Sequence, residues 1–282
     1  MINYISVKTK FLNDLKVKFL DHEILFIWNQ WVVKEILQKT ILDTILSQEF
    51  LINNVVARKI NNLAKHLLNN QPIQYFFGYT YFKEYKINVN QNVLIPRPET
   101  EELVDLVLKY IDNNTYGSIL DIGTGSGCIA IALKKSTNHK VFAIDYSNSI
   151  LNTAFHNAKE NNVDIKFSKL NILSSENINF SQKINYIVSN PPYVIDSEVP
   201  VDSIVRCEPA NSIFVNNSNP IIFYESICVF SLMYLAPGGK IFFEINPKFT
   251  KELFAMIQKY GYNDIEIVKD FYNKNRFIVV SS

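Results

Sequence analysis

The residues best equipped for chemistry fall in two short runs. The first is Asn190-Pro191-Pro192-Tyr193, directly after the apolar INYIVS. Each proline fixes φ, lacks an N–H and pushes the preceding residue toward extended geometry, so Asn190 and Pro191 are held rigidly. The Asn190 side-chain oxygen and the Pro191 carbonyl can then accept both hydrogens of one NH2 group, and Tyr193 can lay its ring on a planar substrate. A nitrogen held this way is conjugated to a π-system and is a poor nucleophile. Orientation against an electrophile, with hydrogen bonds that favour the developing tetrahedral geometry, answers that difficulty without a strong base.

The second run is SILDIGTGSGCIAIAL, residues 118–133, which reads as strand, glycine turn and helix. Gly123, Gly125 and Gly127, with Thr124 and Ser126 between them, leave a ligand room to approach the backbone. A dinucleotide fingerprint would place its third glycine where Cys128 stands, which weighs against a pyrophosphate. Asp121, just before the loop, suits a ligand carrying an ammonium group and a sulfonium charge. Asp145 ends the next strand, roughly 20 residues past Gly123, where a carboxylate can accept both hydroxyls of an adenosine ribose. Asp145 could instead cap the following helix, but Ser147 or Asn148 is better placed for that. Asn171-Ile172 offers an amide to an adenine amino group and an apolar face to its ring. These features converge on S-adenosylmethionine as cofactor.

The surrounding pattern must bring the two runs together. From Val7 to about Asn70 the apolar residues recur at helical spacing (Val7, Phe11, Leu15, Phe19; Val56, Ile60, Leu63, Leu67), with no Gly or Pro before Pro72. A small helical domain over 1–71 follows. Residues 72–95, rich in aromatic and β-branched residues with a turn-like Asn90-Gln91-Asn92, predict a β-hairpin linker. A helix runs from about Glu99 to Ile111, with acids in its first turn. Strands near 118–122, 140–145, 164–168, 184–189, 240–245, 264–269 and 276–281 alternate with helices near 127–136, 148–161, 220–236 and 248–260. Such alternation predicts an α/β, doubly wound domain over 96–282 with a mostly parallel sheet. Ligands bind at the carboxyl ends of such strands, so strands one and four should be neighbours and the glycine and proline loops should meet.

Composition narrows the partners. The chain has 282 residues, 48% hydrophobic and 20% charged, as in an ordinary soluble globular protein. A formal net charge of +1 gives no global field toward nucleic acid or membrane, and no apolar stretch is long enough to span a bilayer. Cys128, Cys207 and Cys228 form no CxxC pair, which argues against a zinc ribbon or disulfide scaffold and suits a reducing cytoplasm. His22, His66, His139 and His156 show no metal-ligand spacing, so no metal is expected.

The sequence resembles the release-factor glutamine methyltransferases. The likeness runs through QPIQYFFGYTYF (71–82), VLIPRPETEELV (93–104), ILDIGTGSGCIAIAL (119–133), AIDYSNSILNTAFHNA (143–158), IVSNPPYV (187–194), EPANSIF (208–214), FYESI (223–227) and LAPGGKIFFEI (235–245). Asn-Pro-Pro-Tyr alone is shared with adenine-N6 DNA methyltransferases and RNA methyltransferases; Ile95-Pro96-Arg97-Pro98-Glu99-Thr100 is far more particular. The resemblance implies a Rossmann-like class I methyltransferase domain behind a helical domain that positions the substrate protein. It implies methylation at N5 of the glutamine in the Gly-Gly-Gln motif of peptide chain release factors. Gly123 through Gly127 and Asp145 would bind the cofactor, Asn190 would contact both cofactor and substrate, and Pro191, Pro192 and Tyr193 would frame the glutamine. Arg97, Glu99 and Thr100 would line the cofactor side, with helix capping a competing role for Glu99 and Thr100. The chain departs from the family pattern at Asn171, usually acidic, at Asn246, usually Gly, and over 215–220. A cytoplasmic monomer acting on release factors, without stable nucleic-acid or membrane binding, is the expectation. An adenine-N6 enzyme would need a basic tract or a target-recognition domain, and a binding protein that had lost its chemistry would show a damaged proline loop.

Overall fold

The structure is a computed structural model and describes residues 1–47, 49–112, 116–174 and 183–282. It divides into two compact units, Met1–Phe77 and Gly78–Ser282. The first contains β1 (Ile2–Asn3), α1 (Tyr4–Leu15), α2 (Asp21–Ile27), a π-helical stretch (Trp28–Ile36), α3 (Ile41–Leu46), β2 (Leu51–Ile52), α4 (Asn54–Leu68) and α5 (Ile73–Phe77). Asn3 and Asn53 start α1 and α4, their Oδ1 atoms accepting from the amides of Ile5 and Val56, both at 2.8 Å. The apolar stripes seen in the sequence meet in one core, where Phe11, Leu15, Ile60, Leu63 and Leu67 surround the fully buried Trp28.

The expected hairpin over 72–95 is shorter in the structure. Ile73–Phe77 is a helical turn assigned to the first unit, because Phe76 and Phe77 pack on its core and Phe77 lies 4.7 Å from Trp31, ring to ring. Packing overrides the β propensity of IQYFF. Gly78, at φ +78°, ends that turn. The hairpin proper is β3 (Tyr79–Phe82) against β4 (Tyr85–Asn88), and it belongs to the second unit. The boundary therefore falls at Phe77/Gly78 rather than at 71/72 and 95/96.

The second unit continues with α6 (Pro98–Tyr110), β5 (Ser118–Ile122), α7 (Cys128–Ser136), β6 (Lys140–Asp145), α8 (Asn148–Glu160), β7 (Lys166–Lys169) and β8 (Ile184–Ser189). Then come β9 (Val194–Ile195), β10 (Phe214–Val215), α9 (Ile222–Tyr234), β11 (Leu235–Glu244), α10 (Thr250–Lys259), β12 (Asp264–Lys269) and β13 (Asn275–Ser281). Seven strands form one sheet in the order β12-β13-β11-β8-β5-β6-β7. The pairs from β11 to β7 are parallel and those made by β13 are antiparallel. All five residues of β5 are buried, as expected for a parallel strand covered on both faces. β5 pairs with β8 through Ile119 to Tyr186, Leu120 to Ile187 and Asp121 to Val188. The strand order reverses there, so the loops leaving β5 and β8 open onto the same crevice.

Candidate active site

At that crevice lies a cavity of about 310 Å³. Its wall includes Gly123 and Gly125 after β5, Asp145 at the end of β6, Asn171 and Ile172 after β7, and Asn190, Pro191 and Pro192 after β8. The two runs singled out in the sequence thus share one site.

The glycine loop is held by backbone bonds to the neighbouring strand. The amides of Gly123 and Thr124 donate to the Ile144 carbonyl at 2.9 and 3.0 Å, and the Gly125 amide donates to Asp145 Oδ2 at 3.0 Å. Gly127 begins α7 at φ +84°, and a Cβ there would stand 3.1 Å from Ala154 Cβ on α8, so both conformation and close helix approach require glycine. Thr124, Ser126 and Gly127 belong to the same loop but are not among the residues that line the cavity. Asp121 is likewise not on the wall. It is fully buried, accepts from Thr124 Oγ1 at 2.6 Å, and is raised by burial to about 7. Its expected place beside a ligand cation is therefore corrected to a place beneath the loop.

Asp145 is nearly buried, and burial raises its pKa above the ordinary carboxylate value. Oδ2 accepts from Gly125 N, whereas the buried Oδ1 meets no donor in hydrogen-bonding geometry among the described residues, the nearby amides of Tyr146 and Ser147 acting on the carboxylate only as favourable dipoles. An unmatched acceptor on a cavity wall fits hydroxyl donors such as those of a ribose, and no Cβ narrows the approach at Gly123, whose surroundings are open. Asn171 uses Oδ1 within its own turn, accepting from Leu173 N at 3.1 Å. The departure at Asn246 is accommodated locally: its φ of −76° needs no glycine, Oδ1 accepts from Lys248 N, and Nδ2 donates to the Tyr193 carbonyl.

The proline loop is braced from behind. Asn190 Nδ2 donates to Thr100 Oγ1 at 3.0 Å, Thr100 Oγ1 donates to Glu244 Oε2 at 2.8 Å, and Tyr193 Oη donates to Glu244 Oε1 at 2.9 Å. Two expectations change here. Tyr193 does not line the cavity; its hydroxyl donates to the buried Glu244 and its partly buried ring packs against the core, so it braces the frame from behind. Thr100 does not cap α6, whose cap position is Arg97 without a side-chain bond. Arg97 instead pairs with the buried Glu208, whose other oxygen accepts from Ile95 N at 3.0 Å. The sequence reading assigned no role to Leu94, Asn211, Phe214 or Phe223, all on the wall. The signal was present, since these residues stand in the VLIPRPET, EPANSIF and FYESI segments.

Among the described residues no His, Cys, Asp and Glu cluster could hold a metal, and no helix is long and apolar enough to cross a membrane.

A glycine loop after the central strand, an acid ending the next, and this strand order define a class I S-adenosylmethionine-dependent methyltransferase. The family model described as "Methyltransferase small domain" matches residues 100–207. A release factor glutamine methyltransferase of Flavobacterium psychrophilum is 39% identical over 246 residues, covering 85% of this chain and 86% of the relative. That of Bacteroides thetaiotaomicron is 37% identical over 243 residues, covering 85% and 86%. The chain belongs to the release factor glutamine methyltransferase family. A methyltransferase crystal structure from Pyrococcus furiosus shares the fold, with a TM-score of 0.52 at 19% identity over 78% of this chain and 98% of that one.

Proposed function

We propose that this chain methylates the side-chain amide nitrogen, N5, of the glutamine in the Gly-Gly-Gln motif of peptide chain release factors, using S-adenosylmethionine, in support of translation termination. The observation that carries this reading is the shared cavity of the glycine loop, Asp145 and the Asn190-Pro191-Pro192 frame in a chain of this family.

The backbone at Gly123 and Gly125, the free Oδ1 of Asp145, and Asn171 and Ile172 would hold the cofactor. When bound, S-adenosylmethionine supplies an electrophilic methyl group on a sulfonium sulfur. Asn190 Oδ1 and the Pro191 carbonyl accept the two hydrogens of the glutamine amide and fix its nitrogen toward the cofactor side of the cavity. Both acceptors favour the nitrogen as it loses conjugation and gains positive character, so the loop works by electrostatic orientation rather than by a strong base. The two prolines remove the freedom that would blur this geometry. Tyr193 acts from behind the frame, as the anchor that ties it to Glu244.

The helical unit engages the release factor outside its motif. The protein acts as a cytoplasmic monomer without stable nucleic-acid binding, a reading supported by the net charge of +1 and three free cysteines. The reading is tested by incubation with labelled cofactor and a release factor, wild type or with the motif glutamine replaced. Label is expected on the wild type alone, and equal labelling of both would refute the glutamine assignment.

A further inference from the structure

A side-chain amide presents either an acceptor or a donor to its surroundings, and the two ends are nearly the same size. For Asn190 that choice decides whether the frame can hold an NH2 group at all. Nothing in the Asn-Pro-Pro-Tyr run makes it, because the prolines restrain the backbone and leave the Asn190 amide free to turn over.

The choice is made by a chain of bonds that begins in the core. The Glu244 carboxylate is 1% exposed at the end of β11, and an ionised carboxylate only accepts. It takes the Thr100 hydroxyl hydrogen on Oε2 and the Tyr193 hydroxyl hydrogen on Oε1. Thr100 Oγ1, its one hydrogen spent, can only accept from Asn190, so the atom 3.0 Å away must be Nδ2. Oδ1 then remains for a ligand on the cavity side, which Asn190 lines.

We propose that Glu244 and Thr100 are positioning residues that dictate the orientation of the Asn190 amide, so that Oδ1 and not Nδ2 is offered to the substrate nitrogen. This rests on the reading above that Asn190 accepts from the glutamine amide. Protonated, Glu244 could donate to Thr100, the Thr100 hydroxyl could turn to Asn190, and the amide would present its NH2 group to a substrate nitrogen that itself carries only donors. Burial raises Glu244 to about 7, within reach of working pH. The groups acting on it are Thr100 and Glu99 on α6, Tyr193 in the proline loop and Arg276 on β13; the Tyr224 hydroxyl on α9 binds its backbone carbonyl, and buried Cys128 opens α7 nearby. Arg276 favours the ionised form and Glu99 opposes it, while Tyr193 and Tyr224 are both raised well above the ordinary phenol and stay donors.

The test compares the full chain with Thr100→Val, Thr100→Ser, Glu244→Gln and Asn190→Ala. It measures kcat and KM for a release factor, cofactor affinity by calorimetry, and Tm. Thr100→Val removes the hydroxyl at equal volume, and Glu244→Gln puts a donor where only acceptors stood. Each should lower kcat roughly 10- to 100-fold, with KM and cofactor affinity within about threefold. The pair combined should do little more than either alone, because they act as one unit. Thr100→Ser should restore kcat to within about threefold of the wild type, which a packing role for the Thr100 methyl would not allow. Wild-type kcat should rise with pH through about 7, and that limb should be absent from Glu244→Gln. If a variant fails to fold, the wild-type limb and the Thr100→Ser result still decide. Wild-type kcat in both Thr100→Val and Glu244→Gln, beside an inactive Asn190→Ala, would overturn the positioning role alone. An active Asn190→Ala would overturn the reading of the frame, and the positioning role with it.

Discussion

Changing Asp145 to Asn isolates a buried, unmatched acceptor on the cavity wall. Asn can still give its one oxygen to the Gly125 amide, which Asp145 Oδ2 accepts at 3.0 Å. Its NH2 group then replaces the buried, unpartnered Oδ1. A hydrogen bond from a ribose hydroxyl to a charged acceptor is worth about 1.5–3 kcal/mol, so cofactor affinity should fall roughly 10- to 100-fold. Stability should move the other way. Burial raises the Asp145 pKa above its unfolded value, so its contribution to stability is present at low pH and lost as pH rises through the folded value. Asn carries no charge and removes that pH-dependent cost, so Tm should hold or rise. Calorimetric titration with S-adenosylmethionine, beside a thermal melt, reads both quantities. Affinity within about twofold of the wild type, or a loss of affinity that tracks a fall in Tm, would refute this role for Asp145.

Gly127→Ala should destabilise the second unit by about 1–3 kcal/mol, from left-handed backbone strain plus the 3.1 Å approach to Ala154, as measured by denaturant unfolding. Gly261→Ala meets the same kind of strain at φ +89° in open space and should cost less, so equal losses would contradict the close-packing role of Gly127. Arg97→Met strips the buried Glu208 of its cation and should loosen the Ile95 and Leu94 segment; cofactor or substrate affinity should fall with a stability loss of about 1–3 kcal/mol. Asp121 and Glu244 are both raised by burial to about 7, so their contribution to stability is full below their unfolded values near 4 and is lost as pH climbs through 7. The wild type should therefore melt higher at about pH 6 than at about pH 8, and Glu244→Gln should reduce that difference to the part that Asp121 carries.

What the sequence disclosed about the site was local. Glycines at the turn after β5, an acid at the end of β6 and prolines after β8 are each legible because their chemistry depends on neighbours in the chain. That they meet follows from the alternation of strands and helices, since only a neighbouring β5 and β8 bring the two loops to one crevice. The brace behind the frame was not legible. Thr100, Asn190 and Glu244 lie on three distant segments, and no spacing rule links a helix threonine to a strand-end glutamate. The same gap explains Tyr193, whose aromatic ring suggested stacking while the buried carboxylate that claims its hydroxyl was out of sight. IQYFF misled for a related reason: its β propensity was outweighed by a core assembled from residues far upstream.

Delivery of a methyl group from one cavity to one planar amide nitrogen is the function proposed for this chain. It is tested most directly by fragmentation mass spectrometry of release factor recovered from cells with and without this protein. A single added methyl on the glutamine side chain of the Gly-Gly-Gln motif, present only with the protein and lost with Asn190→Ala, is the predicted result. An unmodified glutamine in cells that contain the active protein, or a methyl group on another residue, would contradict it.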